Sequence, residues 1–336
     1  MTLTAQKLDE ASRVIAGWRR PILVTHEKPD GDALGSLSAM SALLRARGAQ
    51  PDAVLFDPIP DRYDLFRASN RLVVLGRDRA LTDLARCDGV IILDTCSYNQ
   101  LRPIADWLRL APQPKLAVDH HITRDDLAQH YVVDESAAAT CLILFDWAIH
   151  AGWTMDMETA RALFVGLATD TGWFHHSNTD ARSFNAAADL VKRGARPHLL
   201  HEALYQRDSA ARVRLLGVAL ETLELLINGQ LAVMTLDGAA FAAAMATPAD
   251  TEDIVNEPLR IGTVKVCVLL VDSGDGVIRV SLRSRATEGG RDVDVAAVAQ
   301  SLGGGGHRNA AGVKIADSIT SARTTVLQRV EPLLGR

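Results

Sequence analysis

A mostly parallel α/β sheet with flanking helices, followed by a smaller α+β domain, is the architecture this sequence predicts. Three observations predict it. Short apolar runs alternate with helix-patterned stretches through about residue 185, as in a sheet covered by helices. Beyond residue 230 the strand-like runs cluster, with one helical stretch behind them. The 336 residues, 48% hydrophobic and 23% charged, supply enough apolar side chain for about two cores and exclude disordered or fibrous classes. The chain therefore divides into domains at 1–185 and 218–336, with a helical linker over 186–217.

The first strand is the run Pro21-Ile22-Leu23-Val24, continued to residue 26. Pro29 and Gly31 turn the chain, and the spacing of Leu34, Leu37, Met40 and Leu44 predicts a helix over 34–47 that begins near Ala33. Strands follow over 52–56, 72–75, 90–94 and 116–119, then a helix over 157–168. Thr179 to Gly217 is rich in Ala, Leu and charged residues, which suits helices that carry the chain to the second domain. There Leu231 to Leu236, Val264 to Val271 and Val277 to Leu282 have strand character, the Ala-rich stretch Gly238 to Ala246 reads as a packed helix, and a helix over Asp294 to Leu302 precedes four glycines, Gly303 to Gly306.

Carboxylates and imidazoles end these elements. His26, Asp30 and Asp32 follow the first strand, Asp94 closes the run Val90-Ile91-Ile92-Leu93, Asp119-His120-His121 follow Leu116-Ala117-Val118, and Asp170 ends a helical stretch. Such loops lie at the carboxyl edge of an α/β sheet, where ligands bind. Taken alone, Asp32 would serve equally as a helix cap, with His26 packed at a strand end. Jointly, mixed His and Asp donors point to manganese, iron, cobalt or zinc rather than calcium. In the second half, Ser281-Leu282-Arg283-Ser284 ends a strand, and His307, Arg308 and Asn309 follow the glycines. Those glycines alone would pass for a linker or a helix cap, but the polar groups beside them suit an anion.

The ordered set His26-x-x-x-Asp30-x-Asp32, Asp94, Asp119-His120-His121 and Asp170 closely resembles the four motifs of the DHH phosphoesterase superfamily. Ser281 to Ser284 and Gly303 to Gly312 look like the substrate-binding motifs of the DHHA1 domain. The resemblance covers about residues 20 to 315 and is strongest to the nanoRNase and pAp-phosphatase group. It implies an active site in the interdomain cleft with two divalent ions, Mn2+ first and Co2+ or Mg2+ as alternatives. His26, Asp30 and Asp94 would hold one ion, Asp32, Asp94, His120 and Asp170 the other, with Asp94 bridging. Asp119 would orient its neighbours, and His121 would touch the scissile phosphate. Arg283, Ser284, Asn256, Gly304, Gly305, Gly306 and His307 would bind substrate, Arg283 gripping phosphate oxygens. His121, Asp119 and Arg283 make the implied catalytic set.

The implied reaction is attack on phosphorus by a hydroxide that two metals activate. Short RNA oligonucleotides would be cut to mononucleotides, and pAp would lose its 3′-phosphate as a second activity. Two other classes stay open: a phosphodiesterase of cyclic-dinucleotide turnover acting on pApA, and a non-catalytic nucleotide-binding regulator. A family II pyrophosphatase shares the amino-terminal motifs, but the segment from Gly303 to His307 favours a nucleotide. His175 and His176 are left without a role.

The net charge of −5 argues against binding long nucleic acid, duplexes included, over an extended surface, while a short anion needs only local cations. Cys87, Cys96, Cys141 and Cys267 form no CxxC pair and read as reduced, structural residues. Neither a signal-type apolar core nor a membrane-length run is evident, so a cytoplasmic location without membrane contact is expected. The oligomeric state is open, a homodimer included.

Overall fold

The computed structural model describes residues 3–67, 72–122, 124–286 and 292–335. The chain forms two compact units, 1–207 and 208–336. In the first, α1 (Ala5–Ile15) leads into β1 (Ile22–Val24), α2 (Gly31–Ala46), β2 (Asp52–Leu55), β3 (Leu72–Val74), β4 (Val90–Leu93), α3 (Ala105–Leu110), β5 (Lys115–Asp119), β6 (His130–Val133), α4 (Thr140–His150) and α5 (Met157–Asp170). The six strands pair in parallel in the order β3-β2-β1-β4-β5-β6. β1, β4 and β5 are buried along their whole length, the pattern of strands covered on both faces. The order reverses between β1 and β4, which opens a crevice at their carboxyl ends.

Helices α2, α4 and α5 are buried nearly all round, so they pack on one another as well as on the sheet. Glycine lets α2 and α5 approach: a Cβ on Gly35 would lie 2.6 Å from the Ala162 carbonyl oxygen, and one on Gly31 would strike Thr169. The stretch expected as a linker is shared between the units. α6 (Ala181–Lys192) and α7 (Pro197–Tyr205) lie in the first, and α8 (Ala210–Glu221) in the second.

The second unit continues through β7 (Glu224–Leu226), β8 (Leu231–Leu236), α9 (Gly238–Ala244), β9 (Val266–Asp272), β10 (Ile278–Ser284), α10 (Val295–Ser301), β11 (Gly305–His307), β12 (Ala310–Ile315) and α11 (Ile319–Val330). Its sheet runs β11-β12-β10-β9-β8-β7, parallel only between β8 and β9. Side chains alternate between faces: Leu231 and Val233 join the core under α10 and α11, whereas Ala232 and Met234 join that under α8 and α9. The four glycines are neither linker nor simple cap. Gly303, at φ +85°, follows the end of α10, and Gly305 to His307 form the edge strand. Gly306 lies so close to β12 that a Cβ would sit 2.5 Å from the Ala310 carbonyl oxygen. Among the described residues no helix is long and apolar enough to cross a membrane, and all four cysteines are free thiols.

Candidate metal centre

The loop from β1 into α2 supplies three polar side chains with different employments. Asp30, not Asp32, caps α2, its Oδ1 accepting the amides of Asp32 and Ala33 at 3.0 Å each. His26 directs Nδ1 at the Glu27 carbonyl at 2.8 Å, which makes Nδ1 the protonated nitrogen and leaves Nε2 as a lone-pair donor. That Nε2 stands 3.5 Å from Asp94 Oδ2 and 3.9 Å from Asp30 Oδ1. His120 repeats the device: Nδ1 faces the Ala137 carbonyl at 3.2 Å, and Nε2 lies 3.2 Å from Asp170 Oδ2 and 3.7 Å from Asp94 Oδ1. An imidazole whose outer N–H is held by a carbonyl is arranged as metal ligands are.

Asp94 ends β4 in the left-handed region, at φ +62°, with its amide bonded to the Val118 carbonyl at 3.0 Å. Asp tolerates this conformation better than most residues, and it occurs at functional sites. The consequence is a buried carboxylate with one oxygen towards each histidine. Within 4.8 Å of one another, ligand atoms gather as His26, Asp30 and Asp94, as Asp32, His120 and Asp170, and as Asp94, His120 and His121.

Asp32 is satisfied from α4. That helix begins after Ala139, which has no side chain to cap it, and Asp32 takes over: Oδ2 accepts the Thr140 amide at 2.6 Å and Oδ1 the Cys141 amide at 2.9 Å. The Thr140 hydroxyl donates to Asp94 Oδ1 at 2.9 Å. Close packing of α5 completes the group, since a Cβ on Gly166 would lie 2.7 Å from Asp32 Oδ1 and would strike the Cys141 sulfur. Sequence reasoning missed Thr140, Cys141, Gly35 and Gly166. An apolar helix opening on Ala-Ala-Ala-Thr, with no capping side chain, was the available signal.

Burial raises the Asp94 carboxyl well above the usual range, and the charges of Asp32, Asp30, Asp170 and Asp119 raise it further. Burial, then Asp32 and Asp30, push Asp170 up to about 8. Carboxylates that drive one another towards protonation are satisfied by cations instead. With two Nε2 donors among them, the residues fit divalent ions of the softer, transition-metal type.

His121 points differently. Its Nδ1 donates to Asp119 Oδ1 at 2.7 Å, a bond that raises the imidazole above its usual pKa, and the ring, half-exposed, makes no hydrogen bond through Nε2 among the described residues. Asp119 is buried, which works against its charge, but the bonds from His121 hold it below the usual carboxylate range. A cavity of about 550 Å³ opens here, lined by His120, His121, Ile122, Ser97, Gln100 and Glu135.

After Asp170 the chain makes a left-handed turn through Gly172, Trp173 and Phe174, at φ +55°, +57° and +65°. For the two aromatic residues this costs about 1–2 kcal/mol each. Packing of both rings on Phe164 and the bond from the Phe174 amide to Thr171 Oγ1, 3.1 Å, oppose that cost. His175 and His176 are exposed beyond the turn, the His176 ring lying over Gly172. Asn178 donates to the Asp170 and Ala138 carbonyls, both at 3.2 Å.

In the second unit, Arg283 and His307 both pair with Ala310, so they occupy one row across β10, β12 and β11 and present their side chains to one face. Ser284 receives Asn309 Nδ2 at 2.9 Å, and Asn309 also donates to Asp292 at 2.7 Å. Asn256 is spent on a local bond to Asp253 Oδ1 at 3.0 Å. Gly305 and Gly306 lie in the exposed edge strand, with Gly304 just before it.

The chain matches the DHH family N-terminal domain over residues 21–167 and the DHHA1 domain over residues 228–335. It is 29% identical to the bifunctional oligoribonuclease and PAP phosphatase NrnA of Thermus thermophilus, across 98% of this chain and 95% of that protein. An exopolyphosphatase-related protein from Bacteroides fragilis superposes with a TM-score of 0.87 at 22% identity, covering 99% of this chain and 98% of the other. Exonuclease RecJ bound to manganese does so with a TM-score of 0.51 at 16% identity, covering 100% and 96%. The two structural likenesses concern the fold.

Proposed function

The chain belongs to the DHH family, with a DHHA1 domain behind the DHH domain, and from that premise we propose a metal-dependent phosphoesterase that cuts short RNA oligonucleotides to mononucleotides and removes the 3′-phosphate of pAp. The observation that carries it is the division of Asp94, one oxygen towards His26 and the other towards His120. His26, Asp30 and Asp94 hold one divalent ion, and Asp32, Asp94, His120 and Asp170 the second. Manganese suits two imidazoles among carboxylates and is the ion bound by the RecJ relative. Bound there, such ions lower the pKa of water and draw in phosphate oxygens.

The chain's own groups supply the rest. Asp119 keeps the His121 ring oriented and favours its protonated form, so Nε2–H can donate to a phosphate oxygen and to the departing alkoxide. Arg283 and His307, in one row on one face of the second unit's sheet, suit a phosphate group of a short nucleotide. The named activities of the NrnA relative support this class of substrate. Four free thiols agree with a reducing, cytoplasmic setting.

The test is a substrate panel. Metal-depleted protein supplied with Mn2+ should release mononucleotides from di- to pentanucleotides and phosphate from pAp, with pyrophosphate left intact. Hydrolysis of pApA alone would move the assignment to cyclic-dinucleotide turnover, and binding of every nucleotide without product would make the chain a regulator.

A further inference from the structure

The hydroxyl of Thr140 is a group whose position neither a cap nor a core requires. The residue opens α4, is buried, and reaches two ligand carboxylates at once. Its amide and that of Cys141 serve Asp32, a task any residue other than proline would perform. Among the described residues its Oγ1 serves Asp94 alone, donating to Oδ1 at 2.9 Å. Asp94 has no second hydroxyl or amide donor in hydrogen-bond contact among the described residues; its other neighbours are the imidazoles of His26, His120 and His121, at 3.5, 3.7 and 3.9 Å.

A carboxylate turns easily about its Cβ–Cγ bond, since this torsion between tetrahedral and planar carbons is broad. For an ordinary acid that freedom is harmless. For one that must offer Oδ2 to an ion shared with His26 and Asp30 and Oδ1 to an ion shared with His120, rotation takes both oxygens away from their ion sites together. A donor fixed on a helix end stops the rotation, because the hydroxyl is carried on backbone that is itself pinned through Asp32. One short element thus sets the Asp32 carboxylate through its amides and the Asp94 plane through its side chain.

We propose that Thr140 is a positioning residue whose hydroxyl fixes the rotation of the Asp94 carboxylate so that its two oxygens face two separate ion sites. The proposal rests on the two-ion reading above and adds the residue that makes the bridge possible. It is not a catalytic residue, since it acts on substrate only through Asp94. Loss of the hydroxyl weakens the two ions jointly, whereas loss of a ligand on one side, such as His26, weakens chiefly one.

Thr140→Val keeps the shape and removes the donor, and Thr140→Ser keeps the donor and removes the methyl. Mn2+ binding to metal-depleted protein is followed by calorimetry, with the manganese electron paramagnetic resonance signal as a second readout of spin-coupled ion pairs. Wild type and Thr140→Ser should bind two ions and show the coupled-pair signal. Thr140→Val should lose about 10–100-fold in affinity for the pair, the usual effect of removing an outer partner of a ligand, and should lose the coupled signal. If Thr140→Val does not fold, Thr140→Cys, with a weaker donor of similar size, should fall between Ser and wild type on one side and the unliganded state on the other. Two-ion binding and a coupled signal in Thr140→Val equal to wild type would overturn the proposal, as would wild-type behaviour in Thr140→Cys should that be the variant used. Fewer than two ions on wild type would overturn the two-ion reading itself.

Discussion

Gly166→Ala is the substitution that most sharply separates folding from metal binding in this protein. On a bare helix the change is favourable by about 1 kcal/mol. Here the new methyl would meet the Cys141 sulfur and stand 2.7 Å from Asp32 Oδ1, and forcing a methyl into a filled core costs about 1–3 kcal/mol. The sum is a net destabilisation of roughly 0–2 kcal/mol, a modest shift in a denaturation curve. Metal binding should suffer far more. Asp32 is held by two amides at the start of α4 and cannot retreat without breaking them, so displacement of its oxygen should cost about 10–100-fold in Mn2+ affinity. Adding Cys141→Ala removes the sulfur and should recover part of the stability, but Asp32 Oδ1 at 2.7 Å and the remaining Cβ of residue 141 at 2.9 Å still crowd the methyl, so affinity should stay low. Urea denaturation and calorimetric Mn2+ titration of the single and double variants make the comparison. Wild-type affinity in Gly166→Ala, or affinity that returns with stability in the double variant, would refute the reasoning.

His121→Ala should keep its metal and lose turnover, while His120→Ala should lose affinity at one site; elemental analysis beside kcat distinguishes them, and the opposite pattern would reverse the two roles. Asp94 and Asp170 are held above the usual carboxylate range, Asp170 at about 8, so the metal-free folded protein keeps protons that the unfolded chain has released. Its stability should therefore fall as pH rises from about 4 to about 8, and Mn2+, which replaces those protons, should flatten or invert the slope; denaturation midpoints that rise with pH without metal would contradict this. Arg283→Ala should impair trinucleotides and pAp by about 1.5–3 kcal/mol, or roughly ten- to a hundredfold in kcat/KM, yet spare bis(p-nitrophenyl) phosphate, and equal loss on both would remove the phosphate-holding role.

The fold was largely legible because both sheets are written in apolar runs with polar punctuation. Pro21 to Val24, Val90 to Leu93 and Leu116 to Val118 stand out as buried strands, and Asp94 and His120 are conspicuous at their ends. Less legible were elements whose reason lies elsewhere in the chain. Nothing local shows that Ala139 leaves α4 uncapped because Asp32, more than a hundred positions earlier, supplies the acceptor. Gly35 and Gly166 resemble ordinary helix weaknesses until α2 and α5 are laid together. On composition the run from Gly303 to Gly306 would pass for a linker or a helix cap, yet its second half is edge strand, and only residues without a Cβ fit against β12 at Gly304 and Gly306. Long-range contact, which periodicity does not encode, decides each of these.

Calorimetric titration of metal-depleted protein with Mn2+, run in parallel on Asp94→Ala, tests the central claim most directly. Wild type should take up two ions per chain, release protons as it does so, and gain activity on trinucleotides only as the second site fills. Asp94→Ala should fold, bind neither ion with comparable affinity, and remain inactive. A single ion at saturation of the wild type, or an Asp94→Ala protein that still binds two ions and cuts RNA, would contradict a bridged pair.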